Sequence, residues 1–422
     1  MNKTALVGAA LALGSMAFAQ QNRIDTIRPD SPQLSPYGEY QIGVQTLKVV
    51  NPKQLDIVNA TAGNPIPTYD RPLTLEVWYP AQLKADQKPG GVYNTTTRDA
   101  SIAIQVYGKA VRDAEPLVKP EKFPLVIVSH GYPGNRYLLS HLTENLASKG
   151  YVVVAIDHTD STFSDVKAFG STLMNRSLDQ LFVLNEIDKL SKNGSKSFLS
   201  GLVDANNTAV VGYSMGGYGV VNTIGGGFTD FATTLQFAPP NKALAARAAS
   251  NPDYLKTVDS RIKAAIAIAP WGMQVGFWNA ETLKGIKTPV LFVAGDRDDV
   301  SGYEKGTRAI FENAVNTNRY LLTFHNANHN AAAPMPAPVE TYNNFPLFEA
   351  YSETAWDTVK MNNILAHFAT AYLGMHLKGQ TDMQKYLNLV ENSNDGAGNT
   401  YWEGFKPRTA LGLSLKYLPA GK

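Results

Sequence analysis

Cysteine is absent from the 422-residue chain, and its absence excludes several kinds of chemistry. The protein has no disulfide bond, no thiol nucleophile and no thiolate ligand for a metal ion. A chain of this length buries enough apolar surface to fold without covalent cross-links. The fold must therefore be stabilised by a sizeable hydrophobic core.

An excess of charge of one sign is also missing. Lysine and arginine total 38 and aspartate and glutamate total 36, so the net charge is only +2, and no basic block occurs. Nucleic acids and anionic membrane surfaces attract clustered positive charge, so we expect neither as a partner. The histidines and carboxylates show no convincing metal-ligand spacing, so we expect no metal and no cofactor.

Long apolar runs are scarce, and the first one lies at the N-terminus. Lys3 precedes an apolar stretch of small residues, and Ala17-Phe18-Ala19 forms a small-x-small cleavage site before Gln20. The stretch is shorter than the ~20 apolar residues that span a bilayer, and no later run is long enough either. Residues 1–19 therefore predict a secretory signal peptide. Export without disulfides indicates a bacterial periplasmic or secreted protein without stable membrane insertion.

Apolar runs and amphipathic segments alternate along most of the remaining chain. We predict strands at 72–81, 123–131, 151–158, 207–214, 262–270, 288–296 and 319–326. We predict helices at 135–150, 177–192, 303–316 and 353–378. Such alternation is typical of a mostly parallel sheet with helices on both faces. Residues 20–422 thus form one domain, with an irregular or partly extended lead-in (20–70), a possible cap insertion (225–260) and an irregular tail (380–422).

One serine stands between glycines at the junction of a predicted strand and a predicted helix. The segment Gly212-Tyr213-Ser214-Met215-Gly216 fits the G-x-S-x-G turn that exposes a nucleophile above a sheet. A serine needs an adjacent base, and in this arrangement an acidic residue and then a histidine follow it along the chain. Ser214 is therefore the predicted nucleophile.

The partners of Ser214 are sought where later strands end. Asp296, Asp298 and Asp299 follow one strand, and we favour Asp298 because it lies deeper in the loop. His325 still lies within the last strand pattern, whereas His329 follows a turn, so His329 is the favoured base.

A Ser-His-Asp site also needs donors for the oxyanion. These are usually the backbone N–H after the nucleophile and one from the loop after an early strand. Met215 and Tyr132 hold these positions, and Pro133 has no N–H to offer.

With these residues in place, the chain resembles the α/β-hydrolase superfamily. The stretch FPLVIVSHGYPGNRYLLSHLTENLASKGYVVVAIDHTDS is similar to the branch of platelet-activating-factor acetylhydrolases and dienelactone-hydrolase-like enzymes. This resemblance spans about residues 70–330. It implies an α/β-hydrolase fold, with a mostly parallel central sheet, helices on both faces and a cap-like insertion. It also implies that His130 and His158 support the site without serving as the base.

A second likeness is to cutinase-like polyester hydrolases. These share the Gly-aromatic-Ser-Met-Gly-Gly turn, an oxyanion tyrosine, and a tryptophan after the next strand, here Trp271 in APWG. The likeness implies that Tyr132 and Trp271 flank the acyl group, although Trp271 also fits a core anchor. This chain is longer than that type and has no disulfide. The insertion at 225–260 and the proline-rich loop after His329 are the segments that could cover the site.

These features predict an exported serine esterase that cleaves carboxylic esters through an acyl-enzyme. Its expected substrate is a small-molecule or polymeric ester. One alternative assumes the same Ser-His-Asp site but a different substrate, with hydrolysis of amide, lactone or polyester bonds. A non-catalytic binding protein on a hydrolase scaffold and an acyltransferase are alternatives of another class.

Overall fold

The structure is a computed structural model that describes residues 21–393 and 402–422, so the predicted signal peptide at 1–19 lies outside the described residues. The strands are β1 Asn22–Arg23, β2 Gln41–Leu55, β3 Thr68–Gln82, β4 Val92–Thr96, β5 Ala103–Tyr107, β6 Val111–Arg112, β7 Glu115–Pro116, β8 Phe123–Ser129, β9 Val152–Asp157, β10 Ser161–Thr162, β11 Asp165–Val166, β12 Val203–Tyr213, β13 Ile262–Ile268, β14 Val290–Gly295, β15 Arg319–Phe324 and β16 Leu413–Leu418. The α-helices are α1 Ser140–Ser148, α2 Phe169–Leu190, α3 Met215–Thr223, α4 Ala280–Leu283, α5 Arg308–Asn313, α6 Phe345–Phe348 and α7 Thr358–Lys378.

A single large sheet organises the domain. Its strand order is β16-β15-β14-β13-β12-β8-β9-β3-β2-β6, and β7 pairs with β3. The strands from β15 to β9 run parallel, whereas β16 and β3 join their neighbours antiparallel. The predicted mostly parallel sheet is confirmed.

Helices cover both faces of this sheet. Residues of α1 and α7 pack in the core on one face, and residues of α2, α3 and α5 pack on the other. Every residue of β8 is buried, as expected for a strand enclosed on two sides. The continuous apolar runs of the sequence arise from this double burial.

The chain ends contain more strand than the sequence predicted. Residues 20–70 include the 15-residue strand β2, which pairs antiparallel with β3. The tail at 380–422, expected to be irregular, contributes β16 along the edge of β15. Both strands are partly exposed, so their apolar pattern is weak and only pairing with a preformed edge fixes them as strands.

The segment at 225–260 forms short 3-10 turns at Phe231–Thr234, Pro240–Arg247 and Tyr254–Thr257. Phe228, Ala232 and Leu244 anchor it in the core beside α2 and α3. Among the described residues, no helix combines the length and the apolar character needed to cross a membrane.

Candidate active site

The candidate site lies where the strand order reverses. From β8 the chain continues to β9 on one side, whereas β12 leads to β13 on the other. In open sheets of this kind, ligands bind outside the carboxyl ends of the strands at such a point. Tyr132 follows the end of β8 and Ser214 follows the end of β12, so both reach the same crevice.

Ser214 sits in a strained turn. Its φ of 54° and ψ of −115° lie outside the usual regions for a residue with a side chain, and such strain marks functional sites. The glycines around it permit close approach of the backbone. A Cβ at Gly216 would lie 2.0 Å from the carbonyl oxygen of Ser129, and one at Gly212 would lie 2.2 Å from that of Gly216. Only glycine fits these two positions, so the G-x-S-x-G pattern is a steric requirement of the turn.

Ser214, His329 and Asp298 form a continuous chain of hydrogen bonds. The Nε2 atom of His329 lies 2.9 Å from the Oγ of Ser214. The Nδ1 atom of His329 lies 3.0 and 3.1 Å from the two carboxylate oxygens of Asp298. A base within this reach can take the hydroxyl proton, while the carboxylate fixes its tautomer.

Asp298 is held as an anion by donors from its own loop. Its Oδ1 accepts hydrogen bonds from the N–H groups of Val300 at 2.9 Å and Ser301 at 2.8 Å. Burial opposes ionisation of Asp298, but the bonds from His329 and from these N–H groups outweigh it and hold its pKa below the usual range. The carboxylate is therefore charged when it faces the imidazole.

The competing carboxylates and the competing histidine lie elsewhere. Asp296 pairs with His325, with 2.9 Å between Oδ2 and Nδ1, and its other oxygen accepts from the N–H of Asn326. Asp299 is exposed on the cleft wall. Of the candidates, only Asp298 and His329 are brought to Ser214.

The two expected oxyanion donors are free. Neither the N–H of Tyr132 nor that of Met215 donates to another group among the described residues. The peptide before Tyr132 is fixed from behind, because Arg176 donates from Nη2 to the carbonyl of Gly131 at 2.8 Å and from Nη1 to that of His130 at 2.6 Å. In a trans peptide the C=O and N–H point in opposite directions, so the hydrogen bond from Arg176 to the carbonyl of Gly131 orients the N–H of Tyr132 away from Arg176.

His130 and His158 lie buried behind this loop. The backbone N–H of His158 donates to Nε2 of His130, so Nδ1 of His130 carries the proton that it shares with the carbonyl of Gly131. Burial, then the nearby Arg176 and His158, lower the pKa of His130 well below its usual value. A ring held neutral with both nitrogens engaged fits a supporting role.

His158 belongs to a second, fully buried Ser-His-Asp arrangement. Its Nε2 lies 2.7 Å from Oγ of Ser129 and its Nδ1 lies 2.8 Å from Asp179. Arg71 also binds Asp179, at 2.9 Å. Burial is the main cause that lowers the pKa of His158 to about 3. Since none of the three side chains is more than 1% exposed, no substrate reaches them.

Arg176 and Asp179 were not among the residues that the sequence predicted for the site. The predicted helix began at residue 177, whereas α2 begins at Phe169, so Arg176 was placed outside the helix. The available sequence signal was the spacing of these two charged residues, because residues three apart share one face of a helix. In α2 that face is buried.

Ser214 opens into a cleft of about 490 Å³. One wall of the cleft comes from the segment that follows β15, the last parallel strand. None of residues 225–260 lines the cleft. Tyr132 lines the cleft, but Trp271 does not. Phe169 contacts both rings edge-on, with centroids 5.1 Å from Tyr132 and 5.5 Å from Trp271, so the two expected clamp residues are separated by a third aromatic ring.

Comparisons with known proteins find matches over part of the chain. Residues 91–180 match the family described as platelet-activating factor acetylhydrolase, isoform II. The chain is 26% identical over 205 residues to cutinase est1 of Thermobifida alba, which is 48% of this chain and 52% of that protein. It is 23% identical over 250 residues to a bis(hydroxyethyl) terephthalate hydrolase of Streptomyces coelicolor, which is 59% of this chain and 63% of that protein. Each match thus spans less than two thirds of the relative.

A solved structure extends the likeness to nearly the whole chain. A ferulic acid esterase from Streptomyces cinnamoneus superposes with a TM-score of 0.56 at 20% identity, over 94% of this chain and 100% of that one. The chain has the α/β-hydrolase fold. In sequence it is similar to the platelet-activating-factor acetylhydrolase branch and to cutinases, as the sequence predicted.

Proposed function

We propose that the protein is a serine hydrolase that cleaves carboxylic esters through an acyl-enzyme. The observation that carries this proposal is the unbroken contact from Ser214 through His329 to the buried Asp298. The relatives support it, because cutinase, terephthalate hydrolase and ferulic acid esterase are all named for ester cleavage.

The chemistry proceeds in two halves. The Oγ of Ser214 attacks the ester carbonyl as His329 takes its proton, and Asp298 stabilises the resulting imidazolium. The tetrahedral intermediate collapses when His329 gives that proton to the leaving alcohol. Water then attacks the acyl-enzyme with His329 as base, which releases the acid and restores Ser214.

Charge on the intermediate is held by backbone donors. The free N–H groups of Met215 and Tyr132 are assigned to the oxyanion, where one such donor contributes roughly 10²–10³-fold in rate. The cleft volume falls within the range of small-molecule sites. We therefore assign a small ester, or the end of a polyester chain, as substrate.

The test is hydrolysis of p-nitrophenyl esters from acetyl to dodecanoyl, with benzoyl, by the wild type and by Ser214→Ala. We expect rapid turnover that is lost in the variant while its melting temperature is retained. An alkyl phosphonate should label one serine per chain in the wild type and none in the variant. Equal activity of the two proteins would refute Ser214 as nucleophile, and faster cleavage of matched anilides than of esters would assign an amidase.

We also propose that residues 1–19 direct export and are removed. The supporting observation is the short apolar stretch that ends in a small-x-small site. Expression in a Gram-negative bacterium, followed by intact-mass measurement of the periplasmic fraction, should give a chain beginning at Gln20. A full-length chain that stays in the cytoplasm would contradict this.

A further inference from the structure

The carboxylate of Glu353 accepts hydrogen bonds from the backbone on both sides of His329. Its Oε1 accepts a hydrogen bond from the N–H of Asn330 at 2.7 Å, and its Oε2 accepts one from the N–H of Asn328. The residue is only 9% exposed. Two bonds from one rigid group to N–H groups two residues apart leave the backbone of His329 little freedom between them.

A second side chain ties the same loop to its surroundings. The amide of Asn330 donates to the carbonyls of Glu349 at 2.7 Å and Ser352 at 3.1 Å. Its Oδ1 accepts from the hydroxyl of Tyr213 at 2.8 Å, and Tyr213 directly precedes the nucleophile. The loop of His329 is thus fastened to the cleft wall at 349–353 and to the nucleophile turn, which is unusual support for a surface connection.

The environment of Glu353 also bears on the charge of His329. Burial raises the pKa of Glu353, whereas the two backbone bonds and the nearby His329 favour its charged form. Other charged groups near this loop are Asp298, which binds His329, and Asp299, Glu349 and Arg98, which line the cleft. An anion at Glu353 favours the imidazolium that forms when Ser214 gives up its proton.

We propose that Glu353 is a positioning residue for His329: its carboxylate bridges the N–H groups on either side and keeps Nε2 within reach of Ser214 throughout the reaction. This role rests on the proposed esterase chemistry and acts through His329. Displacement of a catalytic group by about 1 Å costs on the order of 10²-fold in rate. Loss of this bridge should therefore lower kcat more than it weakens substrate binding.

Two variants separate the geometry of the bridge from its charge. Glu353→Gln keeps the shape but replaces one acceptor by a donor and removes the charge. Glu353→Asp keeps the charge but is one methylene shorter, so it cannot reach both N–H groups. For p-nitrophenyl acetate we expect kcat to fall roughly 10- to 100-fold in both variants with KM within about twofold. In Glu353→Gln we also expect the acid limb of the kcat/KM profile to move to lower pH.

The comparison variant is Glu144→Gln, because Glu144 is also buried and also accepts hydrogen bonds from two backbone N–H groups, those of Lys109 and Ala110, but does not line the cleft. Its kcat should stay within about threefold of wild type. Circular dichroism and melting temperature show whether each variant is folded, and the rate of phosphonate labelling of Ser214 gives a second readout. If Glu353→Gln does not fold, Glu353→Asp decides.

A folded Glu353→Gln or Glu353→Asp protein with kcat within about twofold of wild type would overturn the positioning role. Failure of the esterase proposal is distinguishable, because it would appear as full activity in Ser214→Ala. An inactive Ser214→Ala beside fully active Glu353 variants would refute the role of Glu353 alone.

Discussion

The Nε2 atom of His329 lies 2.9 Å from the Oγ of Ser214, although 115 positions separate the two residues. The contact arises because β12 and β15 are parallel members of one sheet and therefore end at the same edge. Asp298 reaches the pair from the end of β14, which lies beside β15. Each proposed role in this site can be tested by a substitution that changes one contact.

Replacement of Asp298 by asparagine should lower kcat about 10³- to 10⁴-fold, because the amide neither fixes the tautomer of His329 nor balances its charge. KM for p-nitrophenyl esters should change little, since Asp298 is buried away from the substrate. The matched control is Asp296→Asn, which disturbs the pair with His325 instead. Its kcat should fall at most about threefold, and an equal loss in both variants would contradict the assignment of Asp298.

Replacement of Arg176 by lysine should weaken the oxyanion site. Lysine cannot hold the carbonyls of His130 and Gly131 with one planar fork, so the N–H of Tyr132 loses its fixed direction. We expect kcat to fall roughly 10- to 100-fold with little change in KM.

The control for the loss of a buried arginine is Arg247→Lys. Arg247 is also buried, but it binds Asn222 and Thr257 away from the cleft. Both variants should lose stability in urea unfolding, whereas only Arg176→Lys should lose kcat. Equal kcat in the two variants would show that Arg176 does not support the oxyanion site.

Removal of the Trp271 ring tests the aromatic clamp. Trp271 is half-buried, contacts Phe169 and Phe237 and lies beside Ser214, outside the cleft lining. If the ring of Trp271 flanks a flat acyl group, Trp271→Ala should raise KM for the benzoyl ester about three- to tenfold. KM for the acetyl ester should then be nearly unchanged. Equal effects on the two esters would assign Trp271 to packing alone.

Stability should fall in mild acid because several histidines are buried as neutral rings. Burial lowers the pKa of His141 to about 4 and that of His158 and His367 to about 3. The unfolded chain binds protons near pH 6.5 and the folded chain does not, so the free energy of unfolding decreases as pH falls below 6.5. The slope is about 1.4 kcal/mol per pH unit for each such histidine. Urea unfolding at pH 7.5, 6.5 and 5.5 measures it.

One variant shows that a buried histidine carries this dependence. His367 is fully buried, and burial lowers its pKa. His367→Gln should therefore reduce the slope of the free energy of unfolding between pH 6.5 and 5.5 by about the contribution of one histidine. A wild-type stability that does not change over this range would contradict the assignment.

Much of the fold was predictable because burial on both faces leaves a strong signal. The runs that became β8, β9, β13 and β14 are nearly continuous stretches of Val, Ile, Leu and Ala, bounded by loop residues. Edge strands carry no such signal, which explains why β16 was expected to be irregular. The start of α2 was predicted eight residues too late, because its first turns bury polar side chains such as Arg176 in contact with loop carbonyls.

The sequence by itself determined the tight turn at Ser214 and the chain order in which Asp298 and His329 follow it. Gly212 and Gly216 are steric requirements of that turn, and steric requirements are local enough to read along a chain. The tertiary structure decided what depends on groups distant in sequence. The pairing of Asp296 with His325 separates two competing residues from the site, and the grip of Glu353 on the loop of His329 joins segments that no spacing rule connects. These contacts form only when the sheet places its strand ends side by side.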